Sequence, residues 1–403
     1  MLVRIVPAST DMWWLQMELA RAQRHGRLGR DRTCPYRLFF SPYYSTNHYQ
    51  TLLHSVLLNS GVFIEPVDAN GLEILIDDVL SKDGTCLFHQ HWLKEIYRGL
   101  SPDRHGFDQI DRYFGYLRLF RALGGKVLWT VHNLFDHDLE PDDRVLNQYC
   151  LRLIAKLADR ILVHGAEAIP LVEQACGFEV AYKCSLLHHP LYDSLVLTLP
   201  AIPPELRGIK LATDLIFLCF GQIRPYKGGG DLLQRYLDAF NSGKLAGTKL
   251  IIAGLVQDRS LLREIENLPS DTRRHVMLIN RRVSDAELAW LCQHADVAVL
   301  PYRNILTSGS FYQATTHALP TIVPASGMFK SAIKDGINGL LYANEADLGA
   351  TLIRAYVLGK SQLKKMGQTA LQLCQHQSAS GLVAQRYQSV LESMLPEPSV
   401  CEF

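Results

Sequence analysis

The chain has 403 residues, of which 48% are hydrophobic and 20% charged, so it is long enough and apolar enough for two domains. A formal net charge of +1 argues against a nucleic-acid-binding chain. The nine cysteines are odd in number and form no Cys-x-x-Cys pair, which indicates reduced thiols rather than a disulfide framework or a zinc site.

Residues 1–35 form an N-terminal extension that differs from the rest of the chain. Trp13 and Trp14 precede arginines at positions 21, 24, 27 and 30, near one face of a predicted helix. This pattern is typical of a helix lying at a membrane surface, and a solvated extension is the alternative. No apolar run reaches the roughly 18 residues of a spanning helix, and no signal-peptide core is present. We therefore expect a cytoplasmic protein, with peripheral contact at the inner membrane face.

Strands and helices alternate from Tyr36 onward. The segments YRLFF, VFIEPVD, TCLFHQHWL, GKVLWTVHN and DRILVHG are predicted strands, and apolar residues at helical spacing before Gly61 predict a helix. This alternation predicts a parallel sheet covered by helices, whose ligands bind beyond the carboxyl ends of the strands. Histidines stand at those predicted ends: His89, His91, His132 and His164.

A second alternating series follows a proline-containing segment, 191–214, that is predicted as a linker. Its predicted strands are LIFLCFG, KLIIAG, VMLIN, ADVAVLPY and LPTIVPA, and the tail from about 346 to 395 is predicted helical. The expected fold class is α/β, with two domains, 36–200 and 201–385, whose parallel sheets face a cleft. A C-terminal helix and tail, 386–403, complete the predicted organisation.

The stretch FGQIRPYKGGG, 220–230, predicts a strand, a turn and a helix start. Arg224 and Lys227 lie in the turn, where both could bind a diphosphate. The stretch is not G-x-G-x-x-G, which argues against a nicotinamide cofactor, and it is not a P-loop either. A basic surface loop is the alternative.

The stretch ILTSGSF supplies a second loop suited to phosphate. Gly309 permits close backbone approach, while Thr307, Ser308 and Ser310 add hydroxyl groups at a predicted helix N-terminus. Two such loops in one domain predict a nucleotide diphosphate as ligand. Taken alone, the stretch is also a good helix N-cap.

The order of motifs resembles that of GT-B-fold glycosyltransferases of the group 1, family 4-like clan. The motifs are His132-Asn133 after a strand, GQIRPYKG, a strand ending in Ala-Gly at 253–254, DVAVLPY, TSGS and DGINGLL. The combination of TVHN, YKG and TSGS is similar to bacterial exopolysaccharide transferases such as the xanthan-type beta-mannosyltransferases. The resemblance covers about residues 36–395.

The resemblance implies two Rossmann-like domains and a nucleotide diphosphate sugar, with GDP-mannose as the expected donor. It implies a glycolipid or oligosaccharide acceptor, no further cofactor and no nucleic acid. Gly221, Tyr302 and Gln313 are expected at the donor nucleotide and ribose. Many retaining relatives carry two glutamates where this chain has Ile305 and Gln313, so the resemblance favours an inverting transfer.

The resemblance places His132 beside the donor sugar or its phosphate, and the alternative is a structural strand-end histidine. An inverting transfer needs a general base, for which Asp136, Asp138, Glu140 and His132 are candidates, and Asp138 is favoured. Asp136-His137-Asp138 also resembles a metal-binding Asp-x-Asp motif, but basic residues and helix ends can serve the diphosphate, so no metal site is predicted.

Four residues are expected on the acceptor side: Asn47, Tyr49, His91 and Asn133. For Asn47 and Tyr49, a helix cap and a core aromatic residue are the alternative roles. Two other functions stay open at this point. One is a sugar-nucleotide epimerase of the same fold, and the other is a non-catalytic nucleotide- or glycan-binding partner of another transferase.

Overall fold

The computed structural model describes residues 36–44, 47–81, 85–135, 141–195, 200–207 and 215–396. The chain divides into two compact units. The first contains the described residues up to Pro190 together with the C-terminal helix from Ser380, and the second is Leu191–Ala379. Each unit contains one six-stranded parallel sheet with helices, which confirms the predicted α/β class.

The first unit has the sheet order β2-β1-β3-β4-β5-β6. Its strands are β1 Tyr36–Ser41, β2 Phe63–Pro66, β3 Thr85–Gln90, β4 Lys126–Thr130, β5 Arg160–Val163 and β6 Cys184–Leu186. Its helices are α1 His48–Asn59, α2 Glu73–Leu80, α3 Lys94–Tyr97, α4 Arg104–Ala122, α5 Pro141–Leu157 and α6 Ala168–Cys176, with the C-terminal helix Ser380–Glu392. Strand β2 lies on one side of β1, and β3 to β6 follow on the other side, so the strand order reverses between β1 and β3. Open α/β sheets bind ligands at such a reversal point.

The second unit has the sheet order β12-β11-β10-β7-β8-β9. Its strands are β7 Leu215–Phe220, β8 Thr248–Ala253, β9 Val276–Ile279, β10 Val297–Val299, β11 Thr321–Pro324 and β12 Leu340–Tyr342. Its helices are α7 Gly229–Asn241, α8 Arg259–Glu266, α9 Ser270–Arg273, α10 Asp285–His294, α11 Gly309–Thr316, α12 Phe329–Ala332 and α13 Glu345–Ser378. The C-terminal helix of the first unit is α14.

The second sheet follows the strand order of dinucleotide-binding folds, with β7 and β10 side by side at the reversal point. Both faces of β7 are buried: Leu215, Phe217 and Cys219 enter one core. The alternate residues Ile216, Leu218 and Phe220 enter the other core. A strand buried on both faces reads as a continuous apolar run, which is why LIFLCF was recognisable in the sequence.

The boundary between the units differs from the predicted one. The division falls after Pro190 rather than at 200, and α14 begins at Ser380 and belongs to the first unit. Part of the predicted linker is built into the second unit, because Leu191 and Leu206 are buried in its core. The burial of these two leucines therefore explains why the second unit begins at Leu191 rather than at 201.

Two short strands were not predicted, namely β6 and β12. The tail helix is also interrupted, since Gly359 has φ +71° inside α13 and Ala379 separates α13 from α14. Seven cysteines of the described part of the chain have free thiols. None of the described helices combines the length and hydropathy needed to cross a membrane. The predicted interfacial segment, 1–35, lies outside the described residues.

Candidate functional site

Two segments of the second unit, the loop after β7 and the start of α11, converge at the carboxyl end of β7. Gly221 follows the strand with φ +104°. A Cβ on Gly221 would lie 3.1 Å from the Ser310 hydroxyl oxygen and 3.3 Å from the Lys227 ammonium nitrogen. The loop after β7 and the start of α11 thus bring a hydroxyl group and a cation to one strand end, as the two sequence motifs predicted separately.

Lys227 is positioned by a short 3₁₀ turn, Pro225–Lys227, which Arg224 precedes and Gly228 ends in the left-handed conformation. The Lys227 nitrogen lies 5.3 Å from the centre of the Tyr302 ring, within cation–π range. Arg224 is half-buried in the same loop. A glycine is needed at position 228, because a Cβ there would lie 2.1 Å from the Pro301 carbonyl oxygen.

Helix α11 begins with an N-cap, since the Ser308 hydroxyl oxygen accepts a hydrogen bond from the Phe311 backbone N–H at 3.1 Å. Its first two N–H groups, on Gly309 and Ser310, have no acceptor within the helix, so this end favours an anion. The Thr307 hydroxyl is buried and has no hydrogen-bond partner among the described residues. An unpaired buried hydroxyl is costly, and a ligand oxygen would satisfy it.

Tyr302 and Arg303 connect the two loops. The Tyr302 hydroxyl lies 3.3 Å from the Ser308 hydroxyl, and the Arg303 backbone N–H donates to the Tyr226 carbonyl at 2.9 Å. Arg303 also forms a two-point ion pair with Asp231. Gln313 is half-buried one turn into α11. The segment containing Tyr302 is therefore fixed between the Lys227 turn and the start of α11.

In the first unit, Asn47 and Tyr49 have the structural roles that were the alternative reading. The Asn47 side chain caps α1 by accepting from the Tyr49 backbone N–H at 3.1 Å. Tyr49 is buried, and its ring lies edge-on to His132 at 4.7 Å between centroids. Their acceptor-side role stays a prediction.

The predicted strand-end histidines form one buried cluster. His91 Nδ1 lies 3.1 Å from His132 Nε2, and His132 Nδ1 lies 3.5 Å from His164 Nε2. The His132 ring stacks on Trp92, with centroids 4.2 Å apart and planes 15° apart. Both His132 nitrogens thus face other histidines. Asn133, half-buried, donates to the Phe135 carbonyl at 3.3 Å.

Burial keeps these imidazoles neutral. It lowers the pKa of His54 to about 3, of His164 to about 4 and of His189 to about 3, since the charged form is poorly solvated there. The pKa values of three more histidines lie well below the ordinary range for the same reason: His89, His91 and His132. Such rings can donate and accept hydrogen bonds but do not carry charge at neutral pH.

Several residues of these sites were not predicted. His54, His189 and Tyr387 belong to the histidine cluster, but they come from α1, the chain after β6, and α14. Tyr192 was assigned to a linker, yet its hydroxyl lies 3.0 Å from the position of a Cβ on Gly309. No spacing in the sequence connects these residues to their partners. The favoured base Asp138, with Asp136, His137 and Glu140, lies outside the described residues.

The segment that contains the end of β7 matches a known protein family. Residues 214–357 match the model of the family described as "Glycosyl transferases group 1". These residues form a group 1 glycosyltransferase domain. The protein is therefore an enzyme of the glycosyltransferase class, and the glycosyltransferase domain contains both predicted phosphate loops.

Solved structures show the same fold for most of the chain, about nine-tenths of its length. HepE of Anabaena in complex with UDP and glucose is 12% identical, with a TM-score of 0.64, covering 89% of this chain and 99% of that one. Sucrose-phosphate synthase of Thermosynechococcus elongatus is 14% identical, with a TM-score of 0.66, covering 89% and 99%. A glycosyltransferase of Rickettsia africae is 10% identical, with a TM-score of 0.66, covering 91% and 100%. At these identities the likeness shows the GT-B fold alone. No curated protein sequence matches the chain significantly.

Proposed function

We propose that the protein transfers a hexose from a nucleoside diphosphate sugar to a glycolipid or oligosaccharide acceptor. The observation that carries this proposal is the convergence of the Lys227 nitrogen and the Ser310 hydroxyl on Gly221. This point lies where β7 and β10 meet, at the reversal of the sheet, which is where nucleotides bind in such folds.

The diphosphate is bound by groups of the chain itself in this proposal. Lys227 supplies a positive charge, and Arg224 in the same turn supplies a second one. The Gly309 and Ser310 N–H groups and the Thr307 hydroxyl supply neutral donors. As the sugar leaves, negative charge grows on the diphosphate, so donors already in place stabilise the transition state without a metal ion. Gly221, Tyr302 and Gln313 are assigned to the nucleotide and its ribose.

The transfer is proposed to be inverting. Helix α11 has the sequence GSFYQATT and contains no carboxylate, and Ile305 and Gln313 occupy the positions where retaining relatives carry glutamates. An inverting transfer needs a base that takes the proton of the acceptor hydroxyl. Asp138 is the proposed base, and His132 is proposed beside the donor sugar, with Asn47, Tyr49, His91 and Asn133 on the acceptor side.

Two nucleobases, guanine and uracil, are candidates for the donor nucleotide. The resemblance to xanthan-type mannosyltransferases favours GDP-mannose and a role in exopolysaccharide assembly. HepE was solved with UDP and with UDP-glucose, which supports a uridine nucleotide. A lipid-linked acceptor would place the enzyme at the inner face of the cytoplasmic membrane, through residues 1–35. If removal of residues 1–35 leaves binding to anionic liposomes unchanged, the membrane contact is wrong.

The deciding experiment is calorimetry of the full chain against GDP, UDP, ADP, TDP and their sugars, with thermal shift as a second readout. We expect one nucleotide diphosphate to bind, and Lys227→Ala to weaken it. NMR of the donor and product then tests the reaction: inversion at the anomeric carbon is expected when an acceptor is present. Conversion of the donor without acceptor would indicate an epimerase, and no nucleotide binding would overturn the donor site.

A further inference from the structure

Three buried imidazoles meet at the reversal point of the first sheet. His89 is in β3, His91 follows that strand, and His54 faces them from α1. One ring nitrogen of each lies within 4.8 Å of a ring nitrogen of both others. The three side chains are 0%, 0% and 1% exposed for His54, His89 and His91. Residues two apart on a strand share one face, which explains why His89 and His91 lie together.

The hydrogen bonds around His91 fix which of its nitrogens is unprotonated. The Leu187 carbonyl can only accept, so His164 Nδ1 carries a proton and donates to it at 2.8 Å. The neutral His164 ring then accepts at Nε2 from His132 Nδ1, and His132 Nε2 accepts from His91 Nδ1. His91 Nε2 is thereby left with a lone pair. It is buried and has no hydrogen-bond partner among the described residues.

His89 is held in the same manner as many metal-binding histidines. Its Nε2 lies 2.7 Å from the Thr130 hydroxyl oxygen, and its Nδ1 lies 2.7 Å from the Tyr387 hydroxyl. A ligating imidazole usually donates its second N–H to an oxygen or nitrogen acceptor, which fixes the ring and raises its basicity. The Thr130 hydroxyl oxygen can accept the Nε2–H of His89 in this way, and His132 Nε2 accepts the Nδ1–H of His91.

We propose that His54, His89 and His91 bind one divalent transition-metal ion of the zinc class. Neutral imidazole is a preferred ligand for such ions. Metal–nitrogen distances of about 2.0–2.1 Å would place tetrahedral ligands about 3.3 Å apart, so nitrogens that lie within 4.8 Å of one another need to approach by at most about 1.5 Å. The Tyr387 hydroxyl lies beside these ligands, 2.7 Å from His89 Nδ1. The ion would hold α1 to the sheet, and its site is distinct from the proposed donor diphosphate site of the second unit.

The full, untagged chain tests the proposal. It is produced in zinc-supplemented medium and its metal content is measured by mass spectrometry. The chain is then unfolded with chelator and refolded with Co²⁺, because the site is closed in the folded protein. We expect one equivalent of metal and a visible cobalt spectrum of nitrogen ligation without a thiolate charge-transfer band. A chain with no stoichiometric metal and no cobalt spectrum would overturn the proposal.

Variants locate the ion. His54→Gln is expected to abolish stoichiometric binding, and Thr130→Val to weaken it about 10- to 100-fold, as loss of an outer-shell partner does. His105→Gln is the matched control, because His105 is exposed on α4. Full cobalt binding by a folded His54→Gln chain would show that the ion lies elsewhere. If His54→Gln does not fold, the nearly isosteric Thr130→Val decides.

Nucleotide binding is measured in parallel with chelator, so that failure of the metal site is distinguished from failure of the donor site.

Discussion

Gly228 packs against the Pro301 carbonyl, where the two loops of the proposed donor site meet. Gly228 has φ +68°, and a Cβ at this position would lie 2.1 Å from the Pro301 carbonyl oxygen. The turn that carries Lys227 is thus packed against the chain that leaves β10. Any side chain at position 228 must move one of these two backbone segments.

Gly228→Ala is expected to lower stability and nucleotide affinity together. The left-handed backbone and the carbonyl contact would cost about 1–3 kcal/mol, since neither can relax without moving the turn. Gly230→Ala is the matched control: Gly230 lies in α7 with no atom within 4 Å of its would-be Cβ. That change should be neutral or stabilising by up to about 1 kcal/mol. Urea midpoints of both variants check this, and equal midpoints would contradict the packing role.

Lys227→Ala is expected to weaken binding of the nucleotide diphosphate about 10- to 100-fold, because a hydrogen bond to a charged group contributes about 1.5–3 kcal/mol. The turnover of the transferase should fall further, since charge on the leaving diphosphate grows in the transition state. Lys244→Ala, an exposed position after α7, is the control. Calorimetry and initial rates measure both effects. Undiminished affinity in Lys227→Ala would remove Lys227 from the donor site.

Thr307→Val and Ser308→Ala should separate ligand binding from folding. The Thr307 hydroxyl is buried without a partner among the described residues, so its removal should leave stability unchanged or raise it. Nucleotide affinity should nevertheless fall about 10- to 100-fold, because the lost hydrogen bond would be one to a charged phosphate oxygen. Ser308→Ala removes the N-cap of α11 and should lower stability by about 1 kcal/mol. Thermal unfolding with and without nucleotide measures both. A Thr307→Val protein that is destabilised yet binds normally would assign Thr307 a structural role.

The fold was predictable where strands are long and buried. Segments such as LIFLCF in β7 and LIIA in β8 are continuous apolar runs, because both faces of each strand are covered there. Strands β6 and β12 have only three residues each, too few to show a period. Leu340 and Leu341 belong to the stretch DGINGLL, whose two glycines indicate a turn rather than a strand.

The two loops of the proposed donor site could be recognised because their residue types are local in sequence, and their donor role stays a prediction. Lys227, Gly309 and Ser310 each lie in a short stretch whose residue types suit phosphate.

The histidine cluster was predictable only in part. His89 and His91 stand at the end of one strand, but Tyr387 contacts His89 across 298 positions of sequence. Only the packing of α14 within the first unit reveals that pair.

The histidine cluster should make the first unit sensitive to mild acid. Burial lowers the pKa of His54 and of His189 to about 3 and that of His164 to about 4, whereas an unfolded histidine titrates near 6.5. Between these values the unfolded chain binds protons that the folded chain does not. Stability is therefore full above about pH 6.5 and falls as the pH drops towards 4, by about 1.4 kcal/mol per pH unit for each histidine.

Urea midpoints of the chelator-treated chain at pH 7.5, 6.5 and 5.5 measure this dependence. The loss should begin well above the range in which carboxylates titrate, which separates histidines from aspartates and glutamates. His189→Gln should make the dependence of stability on pH less steep by about 1.4 kcal/mol per pH unit, the contribution of one histidine, because the glutamine amide does not titrate. The exposed His105→Gln should leave the slope unchanged. A midpoint that stays constant from pH 7.5 to 5.5 would mean that the buried rings accept protons without cost, contrary to their burial.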